Sequence, residues 1–178
     1  MVEDLKNVLI SEEKIKEIVK KLGKEITEDY KGKNLILISV LKGSVVFMAD
    51  LMREIDLPLK IDFMIVSSYG DKAVSSGKVK IVKDLDIDLS DLDVLMVEDI
   101  LDTGRTLCSL LEILRTRNPK SLKLCTFLDK PDRRATDIEA DYVGAKIPDE
   151  FVVGYGLDFN QRYRNLPYVG VLKPEVYE

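Results

Sequence analysis

The stretch from Val94 to Leu107, VLMVEDILDTGRTL, constrains the fold of this chain more than any other, because an apolar strand, an acidic turn and a helix start follow one another in it. The run Val94, Leu95, Met96, Val97 is short and β-branched at both ends, as expected of a strand buried on both faces of a parallel sheet. Glu98, Asp99 and Asp102 then crowd three carboxylates into five residues. Thr103, Gly104, Arg105 and Thr106 follow with two hydroxyls, a flexible backbone and a cation, just where Leu107, Leu110, Leu111 and Leu114 begin a helical spacing. A helix N-terminus with free amides favours a phosphate group. A ligand that needs both halves is a sugar phosphate, its phosphate on Thr103 to Thr106 and its ribose hydroxyls on the carboxylates. The plainer reading, that Asp99 ends a strand and Asp102 caps a helix, usually requires only one such residue.

The rest of the chain frames this segment with alternating strands and helices. Ser11, Glu12 and Glu13 read as an N-cap and acidic first turn of a helix that carries Ile15, Ile18, Val19, Leu22 and Ile26 to about Tyr30. A strand at Leu35 to Val40 runs into Leu41-Lys42-Gly43-Ser44, and a helix with Val45, Met48, Leu51, Met52 and Ile55 on one side follows. Ile61 to Ile65 alternate in a further strand ending at Ser67-Ser68-Tyr69-Gly70, after which the polar segment 71–78 reads as a mobile loop. Val79 to Asp84, Leu122 to Leu128, Asp141 to Lys146 and Val169 to Leu172 are the remaining strand candidates. The pattern predicts an α/β fold with a mainly parallel central sheet flanked by helices and ligands at the carboxyl ends of the strands. At 178 residues one domain spanning 1–178 suffices.

Composition removes whole classes of chemistry. The chain has no histidine, so His-based triads, His-ligated zinc and His proton shuttles are excluded, leaving carboxylates, Lys and Tyr for proton transfer. Any metal would be a hard cation on oxygen ligands, with Mg²⁺ the first candidate. A net charge of −5 without a basic tail argues against nucleic acid as the main partner. No apolar stretch fits a membrane span or secretory signal, which points to a cytoplasmic protein with Cys108 and Cys125 as free thiols. No GxxxxGK[ST] string is present, nor the early Asp-rich string of aspartyl-phosphate phosphatases.

VEDILDTGRTL resembles the phosphoribosyl pyrophosphate (PRPP) motif of the type I phosphoribosyltransferases, element for element. LKGS at 41–44, SSYG at 67–70, LDKPDRR at 128–134 and IPDEFVVGYGLD at 147–158 narrow the resemblance to the hypoxanthine/guanine phosphoribosyltransferase branch. It implies the type I phosphoribosyltransferase fold with a small hood subdomain and a mobile loop. The implied reaction joins hypoxanthine or guanine to the ribose of PRPP, giving IMP or GMP and pyrophosphate, with Mg²⁺ as cofactor and a homodimer or homotetramer as the assembly.

Carried over residue by residue, the resemblance makes Glu98, Asp99, Asp102, Thr103, Gly104, Arg105 and Thr106 the ribose and 5′-phosphate site, with Asp102 accepting a proton from the purine imidazole ring. Lys42, Gly43 and Arg164 match the pyrophosphate site, where the Leu41–Lys42 peptide can be cis. Lys130, Phe151, Val152 and Asp158 match the purine side: Lys130 for the 6-oxo group, Phe151 for stacking, the Val152 backbone for the base edge, Asp158 for the metal. An ammonium can only donate hydrogen bonds, so Lys130 suits an oxo group and would leave a 6-amino group unpaired. Ser68 and Tyr69 match the start of the loop that closes over the reaction centre. Ser44, Arg105 and Glu150 depart from residues common in the family, and Glu150 reverses a charge beside Phe151. A xanthine-preferring phosphoribosyltransferase and a PRPP-sensing regulator that binds nucleic acid are the alternatives.

Overall fold

Five strands run parallel through the middle of the molecule and deliver the sequence motifs to one edge. In a computed structural model that describes residues 2–68 and 79–177, the strands are β1 (Leu5–Ile10), β2 (Leu35–Val40), β3 (Lys60–Ser68), β4 (Val79–Lys83), β5 (Asp93–Leu101), β6 (Ser121–Asp129), β7 (Tyr142–Lys146), β8 (Val152–Val153) and β9 (Val169–Leu172). The helices are α1 (Glu12–Asp29), α2 (Val45–Glu54), α3 (Arg105–Arg115) and α4 (Pro174–Tyr177). The six-stranded sheet has the order β4-β3-β2-β5-β6-β7. Only β4 at its edge is antiparallel. A separate antiparallel sheet, β1-β9-β8, corresponds to the expected hood. No helix among the described residues is long and apolar enough to cross a membrane.

The buried strands have two apolar faces, as their unbroken hydropathy predicts. Leu35, Leu37, Leu95, Val97 and Cys125 face α1 and α2 in one core, while Ile36, Ile38, Val94, Met96 and Leu124 pack on α3 in a second. Leu5, Val153, Tyr163, Leu166 and Leu172 form a third cluster under the small sheet. The N-terminus of α1 is capped as read, with Ser11 Oγ accepting from the Lys14 amide at 3.2 Å.

Several local readings shift. β5 runs on to Leu101, so Glu98 and Asp99 belong to the strand rather than to an acidic turn. In α2 the buried face is Phe47, Met48 and Leu51, and Val45, expected inside, is 39% exposed. In β3 the acid lies inside: Asp62 and Met64 are buried while Ile61 and Ile65 face outward. Asp62 tolerates burial because its carboxylate accepts from the amides of Phe63 at 2.7 Å and Asp86 at 2.8 Å. Two further strands lack a hydropathy signal: β8 is only two residues long, and the middle of β1 is exposed.

Candidate active site

Because β2, β5, β6 and β7 are parallel, their carboxyl ends lie together, and the sheet order reverses direction between β2 and β5. Such a switch point leaves a crevice for ligands. Lys42 and Gly43 follow β2 there, Asp99 lies near the end of β5 with Asp102 just beyond it, and Lys130 follows β6. Alternation along β5 sends Asp99 to the α1/α2 side with Leu95 and Val97, and Glu98 to the α3 side with Val94 and Met96. Ser68 ends β3, whereas Tyr69 and the loop segment 70–78 lie outside the described residues.

On the β2 side the backbone is packed without room for side chains. A Cβ on Gly43 would collide with Asp99 Oδ2, and one on Gly156, whose φ is +98°, would collide with the Gly43 carbonyl. The Leu41–Lys42 peptide is cis, as the family resemblance allows. Ser44, a departure from the family, is fully buried, and its hydroxyl bonds Ser39 and the Val40 carbonyl. Lys42 Nζ and Arg164 Nη2 converge on Gln161 Oε1 at 3.3 and 3.4 Å. Arg164 also donates to the Gly156 carbonyl at 2.7 Å and pairs with Asp158 at 2.8 Å. Its Nε is buried without a partner among the described residues, so the guanidinium retains a free donor. The other Asp158 oxygen accepts from the Gln161 amide at 2.8 Å.

On the β6 side a cavity of about 420 Å³ is lined by Ile100, Asp102, Lys130, Phe151, Val152 and Asp158, among others. Lys130 is 7% exposed and donates to the Glu150 carbonyl at 2.6 Å, leaving further ammonium donors. Burial pushes its pKa down, against the opposing pull of Asp102 and Asp149. Asp102 is held by Arg133, Nε to Oδ1 at 3.1 Å, instead of capping α3. Arg134 ties the two strand ends together, donating to the backbone carbonyls of Asp102 at 3.0 Å and Ile138 at 2.7 Å while paired with Asp129. Glu150 turns its carboxylate to Lys6 of β1 at 3.2 Å, which absorbs the reversed charge.

Between these two sides lies the N-terminus of α3. Its N-cap is Gly104 at φ +80°, and no side chain caps it. The conformation favours glycine, and Thr103 is pinned by its carbonyl to the Ala135 amide at 3.0 Å. The first-turn amides, that of Arg105 reaching Thr103 Oγ1 at a long 3.5 Å, and the half-buried Thr103 and Thr106 hydroxyls form an anion cradle.

The acids at the end of β5 are poised. Burial raises the Glu98 carboxyl well above the usual carboxylate range, with Asp99 adding to it, and Glu98 Oε1 has no partner among the described residues. Burial also raises Asp99, to about 6, although the Ile100 amide at 2.8 Å and Arg164 oppose it. An unfolded Asp titrates near 3.9, so between roughly pH 4 and 6 the folded state binds the extra proton. Stability carried by protonated Asp99 is complete below about pH 4 and lost as the pH rises through about 6. Asp99→Asn is therefore expected to melt several degrees higher than the parent at pH 7.5, about 2–4 °C per kcal/mol in a chain of this size, with the difference shrinking as the pH falls through about 6 and vanishing only below about pH 4. Equal melting temperatures at pH 7.5 would contradict this.

The model of the phosphoribosyl transferase domain matches residues 7–160 of this sequence. The chain belongs to the phosphoribosyl transferase family. Within it, a hypoxanthine-guanine phosphoribosyltransferase of Staphylococcus epidermidis is 59% identical over 177 residues, 99% of each chain. One from Staphylococcus aureus is 58% identical over 174 residues, 98% of this chain and 97% of the relative. A crystal structure of a Staphylococcus aureus hypoxanthine phosphoribosyltransferase superposes with TM-score 0.98 at 57% identity, covering 100% of this chain and 97% of that one. A Trypanosoma cruzi hypoxanthine phosphoribosyltransferase in a ternary substrates complex gives 0.94 at 44% identity, over 99% and 100% of the two chains.

The string that resembles the family's PRPP motif lies where β5 meets α3, and its neighbours in space include residues that its own letters do not announce. Arg133 and Arg134 stand within the LDKPDRR string, but their partners across the crevice are invisible in the letters. Gln161 sits at φ +63° in a turn with Asn160 at +50° and Tyr163 at +76°, and of these three only Asn160 is of a type that favours the conformation. Among the described residues no group of three or more His, Cys, Asp or Glu converges as a ready-made metal cage.

Proposed function

We infer that the chain carries out purine salvage: it transfers the 5-phosphoribosyl group of PRPP to hypoxanthine or guanine, giving IMP or GMP and pyrophosphate. The observation that carries this reading is one cavity that presents a carboxylate, Asp102, and a buried ammonium, Lys130, beside the uncapped N-terminus of α3. The 5′-phosphate rests on the first-turn amides of α3 and on Thr103, Arg105 and Thr106. Asp99 and Glu98 accept the ribose hydroxyls. The base stacks on Phe151, with its edge along the Val152 backbone and its 6-oxo group on Lys130.

The bond from the anomeric carbon to pyrophosphate breaks as the bond to the purine imidazole nitrogen forms, through a loose, oxocarbenium-like transition state. Asp102 takes the proton that this nitrogen sheds. Asp99, ionised above about pH 6, adds negative potential beside the developing cation. The backbone at Lys42 and Gly43, with the positive charge of the Arg164 guanidinium, receives the departing pyrophosphate. A bound Mg²⁺ supplies charge neutralisation for the pyrophosphate. Asp158 would contact it: its half-buried carboxylate, bonded to Arg164 and to the Gln161 amide, keeps spare lone pairs and would suit an ion that takes waters and substrate oxygens as its other ligands.

The same reading makes residues 1–178 one domain of a cytoplasmic homodimer or homotetramer. Pyrophosphate release from PRPP in the presence of Mg²⁺ tests it: release should require a 6-oxopurine and match nucleotide formation mole for mole. Tight nucleic-acid binding at physiological salt without such turnover would instead favour a PRPP-sensing regulator, which the net charge of −5 opposes.

A further inference from the structure

The cavity has an aromatic wall in addition to the stacking residue. Phe151 is 38% exposed, an unusual degree for a phenyl ring, and lies at the cavity edge. The ring of Tyr177 stacks on it, with centroids 4.7 Å apart and planes 19° apart, and Phe159 meets it at 90° with centroids 5.7 Å apart. Tyr177 lines the same cavity as Asp102 and Lys130. The small sheet builds this contact. Val152 of β8 pairs with Val171 of β9, the Leu172 amide donates to the Phe151 carbonyl at 2.8 Å, and α4 then returns Tyr177 to Phe151. The Lys173 amide, bonded to the Asp4 carbonyl at 3.0 Å, fixes where α4 begins.

We propose that Tyr177 is a positioning residue for the purine, holding Phe151 as a preordered stacking platform. This rests on the reading of the cavity as the base site. A half-exposed phenyl ring samples several orientations, and a base that stacks on it must freeze them. An offset-stacked neighbour removes that freedom before the base arrives, and aromatic pairs are favourable beyond the area they bury. Tyr177 acts through Phe151 and leaves the ribose-phosphate side untouched.

The test is steady-state kinetics with hypoxanthine and PRPP on the parent, Tyr177→Phe, Tyr177→Leu and Tyr177→Ala, with melting temperatures alongside. Tyr177→Ala and Tyr177→Leu should raise the purine KM about three- to tenfold. The PRPP KM and the melting temperature should stay close to the parent's, and Tyr177→Phe, which keeps the ring, should restore the parent's purine KM. An unchanged purine KM in the Ala and Leu variants overturns the proposal, as does an equal rise in both KM values. A lower purine KM also overturns it, because the ring would then be occupying the place of the base. A parent that makes no nucleotide instead overturns the reading of the site itself.

Discussion

Asp102→Asn is expected to lower kcat with hypoxanthine by about 100-fold or more, the usual worth of a positioned proton acceptor, while the PRPP KM stays within about threefold. The change is narrow in structural terms. An Asn side chain retains an oxygen for Arg133 Nε, now 3.1 Å from Asp102 Oδ1, and the backbone bond from Arg134 does not involve the side chain. What is lost is the capacity to take a proton from the purine ring. Turnover within about threefold of the parent would remove Asp102 from that role.

Lys130→Ala should show the complementary pattern, with a purine KM raised roughly ten- to 100-fold and a PRPP KM near the parent's. A hydrogen bond from a charged donor is worth about 1.5–3 kcal/mol, and each 1.4 kcal/mol is a factor of ten. Lys130 already donates to the Glu150 carbonyl at 2.6 Å, so its ammonium is aimed and partly desolvated before the base binds. An unchanged purine KM would show that the 6-oxo group is read elsewhere.

Much of this site could be read from the letters because its chemistry is local. VEDILDTGRTL compresses a strand end, a carboxylate cluster and a helix start into one string, and these parts occupy adjoining positions on β5 and α3. Largely apolar runs likewise identified β2 and β6, the latter buried on both faces from Leu124 onward. What escaped the sequence depends on distant partners. The outward turn of Ile61 and Ile65 follows from Asp62 finding two amides, one of them on Asp86. Val45 lies exposed because α2 buries Phe47 in its place. The clasp of Arg133 on Asp102 and the stack of Tyr177 on Phe151 join segments that the topology alone brings together.

The departures from the family pattern have local explanations of the same kind. Ser44 fits because its hydroxyl donates to the Val40 carbonyl and accepts from the Ser39 hydroxyl inside the protein. Glu150 faces Lys6 across the edge of the cavity, so its reversed charge is answered by a residue from the small sheet. Neither change displaces Asp102 or Lys130 from the cavity.

The central claim is that one cavity joins a 6-oxopurine to the phosphoribosyl group of PRPP. Initial rates with PRPP and Mg²⁺ against hypoxanthine, guanine, xanthine and adenine test it most directly. Nucleotide should form with hypoxanthine or guanine, and adenine, whose 6-amino group offers Lys130 no matching acceptor, should give none. Absence of product with every 6-oxopurine, or turnover of adenine at a comparable rate, would contradict the account.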